Sequence, residues 1–513
     1  MPNIKLTIRL WWPWIPKPAR SWPWWVRATI SPSAPDGCVP GKNCKFEGNY
    51  NVATALRQPG SSFKPYVYLT AFQKGYTPET QLWDVDIDFD TGEEKDYNPK
   101  NYDGKNHGLL HMKDALAMSL NVPAVETLYL AGVQDSVNTA RSLGITSLTK
   151  PDQYGLSLVL GGGEVTLLDH VNAYSTLATG GIHHDKTAIL KVLDNSGKAL
   201  EQYQDNPGQR VIDEKYVGML DYVMSTNDLR APVFGTNNPL AFNDRPVAAK
   251  TGTTNEWRDG WTIGFTPSLV AGVWSGNNDN TIMAPGADGI FVAAPLWRKF
   301  MDAALKNNNV EQFPKYETED AGKDILNGKL DMSSKLEVCE IPGEKNKYCL
   351  ASDACPDSEK DKKEFFTAHN ILYYVNKDDP RGDAPEDPSN DPQHENWEKA
   401  VLKWVEKNTK LKTDDIPEDE CKDSDFSDYK ASVSLEAAAV ANIITISGSV
   451  SAPYGIKNSS LTVDGSEISQ PSGSFNTTYD ASAKNGSDVK IKLTVTDNNG
   501  HAAAEEKTVH IAF

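Results

Sequence analysis

The spacing of apolar positions changes along the chain, and each change predicts an element. After the helix-breaking Arg57-Gln58-Pro59-Gly60, the residues Phe63, Tyr66, Tyr68 and Leu69 recur at helical spacing, which predicts a helix with Ser61 at its N-terminus. A second amphipathic run holds Leu109, Leu110, Met112, Ala115, Leu116 and Met118. It ends at Ser119-Leu120-Asn121, because Pro123 disfavours helix at Val122. Pro246-Val247-Ala248-Ala249 leads into Lys250-Thr251-Gly252-Thr253-Thr254, followed by two β-rich runs, Trp261-Thr262-Ile263-Gly264-Phe265 and Leu269-Val270-Ala271-Gly272-Val273-Trp274. Thr266-Pro267-Ser268 joins them, so the pattern is a strand and then a hairpin. A helix over Pro295–Leu305 closes this part of the chain.

Beyond it the pattern breaks down. Residues 308–430 are crowded with Asp, Glu, Lys, Asn and Pro and read as an acidic linker with one short helix near Trp397–Val405. From 431 to 513 apolar residues alternate with polar ones: Val489, Ile491, Leu493 and Val495 before Asp497-Asn498-Asn499-Gly500, then Val509 and Ile511. Ile444, Ile446, Leu461 and Val463 supply further strands, with turns at Asp464-Gly465 and Asn485-Gly486.

The first 40 residues fit neither pattern. Trp11, Trp12, Trp14, Trp22, Trp24 and Trp25 are interleaved with Pro13, Pro16, Pro18 and Pro23 and with basic residues, and no helix runs through that proline spacing. Trp beside Lys or Arg suits a membrane headgroup region, yet no apolar run approaches the ~20 residues that span a bilayer, and a continuous signal-peptide core is lacking. The reading is an unassigned Trp/Pro-rich segment, 1–44, joined to a domain that starts at about Lys45 and runs to 307. No membrane anchor is identifiable.

At 513 residues the chain exceeds the size at which a single core stops growing. Seventy acidic against 51 basic residues, a net charge of −19, exclude an electrostatic footprint for nucleic acid. Cys339, Cys349, Cys355 and Cys421 allow three pairings, which spacing does not decide; disulfides are the reading, since the Cys-x2-Cys spacing of a zinc site is absent. Cys38 and Cys44 form a further candidate pair.

The candidate chemistry lies in 45–307. A serine hydroxyl is a poor nucleophile until a base takes its proton, and Lys64, three residues after Ser61 on one helix face, is placed to be that base. At a helix N-terminus the backbone amide of Ser61 is free to meet a developing oxyanion. Ser61 alone also reads as an N-cap and Lys64 as a solvated first-turn residue. Ser119 and Asn121, on a helix-ending turn, can converge on one point, the hydroxyl relaying a proton and the amide holding Lys64 and a substrate amide. Lys250 and the hydroxyls of Thr251 and Thr253 suit a carboxylate, the Thr253 amide suits an oxyanion, and Gly252 leaves room for a peptide to add to the strand edge. His107, His111, His170, His183 and His184 lack metal-ligand spacing and read as packing or surface residues; Gly161-Gly162-Gly163 lacks a P-loop ending and reads as a turn. Trp257 either lines the cleft beside Thr254 or closes the loop before the next strand. No cofactor and no metal are expected.

In this order, the three parts resemble the active-site motifs of penicillin-binding proteins and serine β-lactamases. Arg57-Gln58-Pro59-Gly60-Ser61-Ser62-Phe63-Lys64-Pro65, Leu116-Ala117-Met118-Ser119-Leu120-Asn121-Val122-Pro123-Ala124, Leu160-Gly161-Gly162-Gly163-Glu164-Val165-Thr166 and Ala249-Lys250-Thr251-Gly252-Thr253-Thr254 narrow the likeness to the transpeptidase domain of class A, bifunctional penicillin-binding proteins, over residues 48–307. The resemblance implies an α/β (α+β) serine-acyltransferase fold, a five-stranded antiparallel sheet with helices on both sides, whose two amino-terminal strands are not found in this sequence. It implies D,D-transpeptidation of peptidoglycan stem peptides ending in D-Ala-D-Ala, through an acyl-enzyme on Ser61, and acylation by β-lactams. Lys64 is then the general base, Ser119 and Asn121 the relay and orienting pair, and Lys250, Thr251, Gly252 and Thr253 the carboxylate and oxyanion wall. The implied setting is the extracytoplasmic face of the bacterial envelope, with a separate glycosyltransferase or other cell-wall synthesis proteins as partners, because neither the glycosyltransferase domain nor the transmembrane helix of family members is found here. The rivals are a D,D-carboxypeptidase, in which water replaces the acceptor amine, and a non-catalytic protein that binds penicillin or the cell wall. Residues 431–513 resemble a bacterial immunoglobulin-like β-sandwich, a binding or positioning module.

Overall fold

The computed structural model describes residues 37, 39 and 51–513, apart from 93–95, 205, 343, 345, 358, 409–415, 418 and 427–428. The Trp/Pro-rich segment, the Cys38 and Cys44 pair and the question of amino-terminal strands fall outside the described residues. Two compact units are present: the described residues up to 331 with 368–408, and 332–367 with 416–513.

The first unit is organised by a three-stranded antiparallel sheet, Ala248–Thr253, Asp259–Thr266 and Leu269–Gly276, in that order. Of the five strands the resemblance implies, these three lie among the described residues. Gly264 pairs with Ala271 and Ile263 with Gly272, so the two glycines open opposite faces of the sheet. A Cβ on Gly272 would meet Val171 of helix Leu167–Ala178, and one on Gly264 would meet Trp297 of helix Ala294–Leu305. Each helix therefore lies directly on the backbone of one face, and Trp297 Nε1 donates to the Ala271 carbonyl at 3.0 Å. Buried on both faces, the hairpin strands read as near-continuous apolar runs.

Beside the sheet, helix Lys64–Lys74 is buried over most of its length and ends at Gly75, whose φ of 119° stops it. Helices Val122–Ala131, Val133–Leu143 and Glu214–Ser225 pack round it. The amphipathic run read from Leu109 is divided: Gly108–His111 is a strand paired with Gln81–Asp84, and helix begins only at Met112. Leu109 and Leu110 satisfy the period of a strand as well as that of a helix, and pairing with Trp83 and Leu82 decides between them.

The linker read over 308–430 is not what the chain forms. Helix His394–Asn408 carries Trp397, Ala400, Val401 and Val405 on a buried stripe, with Trp397 packed edge-on against Phe89 and Tyr129 and Trp404 against Trp83. This stretch is part of the first unit. Ser333–Glu340, Tyr348–Leu350 and Lys360–Phe366 form a three-stranded antiparallel sheet in the second unit. Disulfides join Cys339 to Cys355 and Cys349 to Cys421, and the four half-cystines make a small core with Phe426 and Tyr454. Charged side chains dominate the composition here because these strands expose one face, while the bridges do work that apolar burial does elsewhere.

The rest of the second unit is β-rich. One antiparallel sheet orders Ser432–Val440, Ile443–Ser451 and Phe475–Asp480; another orders Ser466–Ser469, Ile456–Val463, Asp488–Asp497 and Ala502–His510. Val489, Ile491, Leu493 and Val495 of the second sheet share one core with Ile444 and Ile446 of the first. The alternation along these strands is the signature of sheets with one face buried and one solvated.

Candidate active site

Ser61 lies on a turn of 3-10 helix, Gly60–Phe63, that runs into helix Lys64–Lys74 with Pro65 in its first turn. Close backbone packing fixes the turn. A Cβ on Gly252 would stand 2.2 Å from the Pro59 carbonyl oxygen, one on Gly60 2.5 Å from the Thr253 carbonyl oxygen, and one on Gly161 2.3 Å from the Gly60 nitrogen. The space that Gly252 leaves is thus taken by the serine-bearing turn of this same chain, which corrects the reading that it admits a substrate backbone. The packing sets the Ser61 turn against the end of the edge strand, beside the backbone of Thr253. Gly161, read as a plain turn, completes the stack behind Gly60.

Ser61 is half-buried, whereas Ser62, Phe63 and Lys64 are buried. The two serines have different surroundings. Ser62 Oγ donates to the Pro59 carbonyl at 2.6 Å and lies 2.9 Å from His170 Nε2, while the other ring nitrogen of His170 lies 2.7 Å from the Tyr66 hydroxyl. Burial holds the His170 pKa at about 3, so the ring is neutral and bridges serine and tyrosine. His170 is therefore a structural bond behind the Ser61 turn, which no spacing in the sequence announces.

Lys64 Nζ donates to the carbonyl oxygens of Ser119 (2.7 Å) and Leu120 (2.8 Å) and to Asn121 Oδ1 (2.9 Å). No hydrogen bond joins it to Ser61 Oγ among the described residues. Burial pushes the Lys64 amine well below the ordinary lysine value, the nearby Lys250 adds to this, and Asp84 opposes it. A neutral amine donates only two protons, so losing the third frees a lone pair from one of the three carbonyl contacts.

Those acceptors point at Lys64 because of how helix Met112–Met118 ends. Ser119 adopts φ 62°, ψ 30°, with Ser119 N donating to Leu116 and Leu120 N to Ala115, a left-handed cap that turns the chain back. Such a conformation costs a non-glycine residue about 1–2 kcal/mol. Asn121 then opens helix Val122–Ala131. Its Nδ2 donates to the Lys100 carbonyl at 2.8 Å, and its backbone amide donates to Asn101 Oδ1 at 2.7 Å. Asn101 Nδ2 in turn donates to both oxygens of Asp84 at 2.7 and 2.8 Å. Asp84 is fully buried; burial raises its pKa, while Asn101 and His107 pull it down. Asn101 and Asp84 hold the Asn121 turn, and neither stands out in the sequence.

Lys250 approaches Ser119 from the sheet. Its Nζ donates to Ser119 Oγ at 2.7 Å and to the Thr251 carbonyl at 3.2 Å. Burial first, and Arg230 second, lower its pKa to about 7. Ser119 thus joins both amines, through its carbonyl to Lys64 and through its hydroxyl to Lys250. Thr251 is buried, and Thr253 Oγ1 accepts from the Gly289 amide at 3.0 Å, which leaves its own O–H to donate. Trp257 Nε1 donates to Asp288 Oδ1 at 3.0 Å and the exposed Tyr102 hydroxyl to Asp288 Oδ2 at 2.6 Å, so Trp257 is tied to the 288 loop. Residues from four separate stretches of sequence therefore meet round Ser61 and Ser119.

Known proteins resemble the part of the chain that holds these stretches. The family model described as the penicillin binding protein transpeptidase domain matches residues 41–302. Penicillin-binding protein 1A of Aquifex aeolicus is 33% identical over 280 residues, which cover 54% of this chain and 37% of that protein. Penicillin-binding protein 2D of Bacillus subtilis is 36% identical over 265 residues, 49% of this chain and 36% of that protein. The chain matches little more than a third of the length of these curated relatives. Among solved structures, the penicillin-binding protein PonA1 from Mycobacterium tuberculosis is 27% identical, with a TM-score of 0.47, over 53% of this chain and 76% of that one.

Proposed function

The chain belongs to the penicillin-binding protein transpeptidase family, and from that premise we propose that it cross-links peptidoglycan stem peptides as a D,D-transpeptidase through an acyl-enzyme on Ser61. The observation that carries the proposal is the meeting of Lys64 and Lys250 on Ser119 beside the Ser61 turn. Ser61 Oγ attacks the carbonyl of the penultimate D-Ala and gives its proton to Lys64, whose burial favours the neutral amine. The amides of Ser61 and Thr253 receive the oxyanion, in the position that the Gly60 and Thr253 contact supports. Ser119 Oγ passes a proton to the departing D-Ala nitrogen and draws on Lys250. Lys250 and the hydroxyls of Thr251 and Thr253 hold the terminal carboxylate, and Asn121 orients the peptide while keeping Lys64 in place. An amine from a neighbouring strand then takes the acyl group. A β-lactam presents a similar amide and carboxylate to the same groups and stays bound.

The likeness of this chain to penicillin-binding proteins supports an extracytoplasmic setting, as do the two disulfides, which persist in oxidising compartments. No helix among the described residues is long and apolar enough to cross a membrane. The two-sheet carboxy-terminal region reads as an immunoglobulin-like sandwich that positions the enzyme; its alternating strands and shared core support this.

The test is labelling with a fluorescent penicillin read by intact mass, followed by turnover of a D-Ala-D-Ala peptide with and without an acceptor amine. One acyl adduct on Ser61 and acceptor-dependent product support the transpeptidase. Release of D-Ala with no acceptor product would make it a carboxypeptidase, and no adduct would leave a non-catalytic wall-binding protein.

A further inference from the structure

Behind Lys250 lies a second buried cation that the mechanism above does not use. Arg230, on helix Asn227–Phe234, is 3% exposed; its Nη2 donates to the Met224 carbonyl and its Nη1 has no partner. Arg230 and Lys250 line one small, partly open pocket together with Leu116, Met224, Phe234 and Thr251, with room for about one water-sized species. Among the described residues neither cation has an ion pair. Asp221, on the neighbouring helix Glu214–Ser225, is buried and bonds to neither, and Lys64 is the other charged group facing Lys250. An arginine does not deprotonate, so its charge stands uncompensated in an apolar surround, where an isolated ion is costly.

We propose that this pocket binds one small monovalent anion of the chloride class between Arg230 and Lys250, and that its occupancy keeps Lys250 charged. The pocket has room for a monatomic anion but not for a peptide carboxylate, although Thr251 shares its lining with Lys250 and Arg230. Two cations that line a water-sized space, one of them with an unpartnered Nη1, supply the charge and the N–H donors for a monatomic anion. With the anion bound, the Lys250 ammonium is stabilised and holds its proton to higher pH; without it, Arg230 repels that proton.

The consequence for rate rests on the acyl-enzyme reading, but the site itself does not, so two readouts are needed. Chloride NMR line broadening with the full chain should be saturable, displaced by bromide, and lost in Arg230→Met. Penicillin acylation is then compared in chloride and in gluconate, too large to enter, at equal ionic strength. A pH unit above the Lys250 pKa, chloride should speed acylation several-fold; a unit below it, the two salts should agree. If Arg230→Met does not fold, Arg230→Lys, which keeps one cation, should bind chloride more weakly. Broadening equal in wild type and variant, or absent in both, would overturn the site even where acylation proceeds normally. Binding without a salt-dependent rate would overturn its hold on Lys250.

Discussion

Gly252 lies so close to Pro59 that a Cβ on the glycine would stand 2.2 Å from the Pro59 carbonyl oxygen and 3.0 Å from the Ser62 nitrogen. The strand that carries Lys250 and the turn that carries Ser61 are held together by the lack of one methyl group. Both obstacles are backbone or buried side chain, so neither gives way cheaply.

Gly252→Ala should therefore separate strand from turn. Overpacking of this kind costs about 1–3 kcal/mol, and displacement of one oxyanion donor costs ~10²–10³ in rate. The expected variant is folded, melts lower and acylates at least a hundredfold more slowly, about the loss of one donor. Circular dichroism melts and penicillin labelling check it; wild-type acylation with a lowered melting point would detach the packing from the chemistry.

The paired serines predict opposite phenotypes. Ser61→Ala should abolish the penicillin adduct and leave the unfolding free energy within about 0.5 kcal/mol of wild type, as a half-buried site allows. Ser62→Ala removes a buried hydroxyl that joins Pro59 to His170, so about 1–3 kcal/mol of stability should go while the adduct still forms. An adduct on Ser61→Ala, located by peptide mass, would move the nucleophile elsewhere.

The lysines predict a pH dependence of both rate and stability. Acylation should rise with pH through the lowered Lys64 pKa and weaken above about 7, where Lys250 loses its charge. Unfolded lysine keeps its proton to ~10.4, whereas folded Lys250 releases it at about 7. Between these values the unfolded chain binds more protons, so stability should increase as pH rises across that window. Lys250→Met should flatten this rise in denaturant midpoints measured against pH; an unchanged slope would refute the burial of Lys250 as its source.

Asn101→Ala tests the support of the Asn121 turn. It strips two hydrogen bonds from the buried Asp84 carboxylate and leaves the Asn121 amide unpaired. The cost should be about 1–3 kcal/mol in stability, more if Asp84 stays charged. The acylation rate should fall, since Asn101 positions the turn that holds Lys64 and does not itself touch the ligand. A rise in half-saturation alone would make Asn101 a binding residue.

The residues that announce themselves in the sequence are those whose chemistry is local. Ser61 and Lys64 share one helical face, and the run from Lys250 to Trp274 has the period and turn of a hairpin, so both were legible without long-range information. The supports were not. His170 reaches Ser62 across 108 positions, and the Asp84 and Asn101 pair reaches Asn121 through side chains common on any surface. The error over 308–430 has a different origin. The short helix near Trp397–Val405 is there, within His394–Asn408, but averaged composition disguised the packed structure around it, since the polar residues between Trp397, Ala400, Val401 and Val405 face solvent. Gly252 was read correctly as a place of close approach, but the approaching backbone came from the same chain.

Ser119 carries two duties on different parts of one residue: its left-handed backbone aims carbonyls at Lys64, and its hydroxyl meets Lys250. Most replacements disturb both, so an inactive variant would not say which duty failed. Glycine is at home in that conformation and lacks only the hydroxyl, whereas alanine removes the hydroxyl and keeps the strain. This position thus has a built-in control: whatever Ser119→Gly and Ser119→Ala lose in common belongs to proton traffic, and whatever separates them belongs to the shape of the turn.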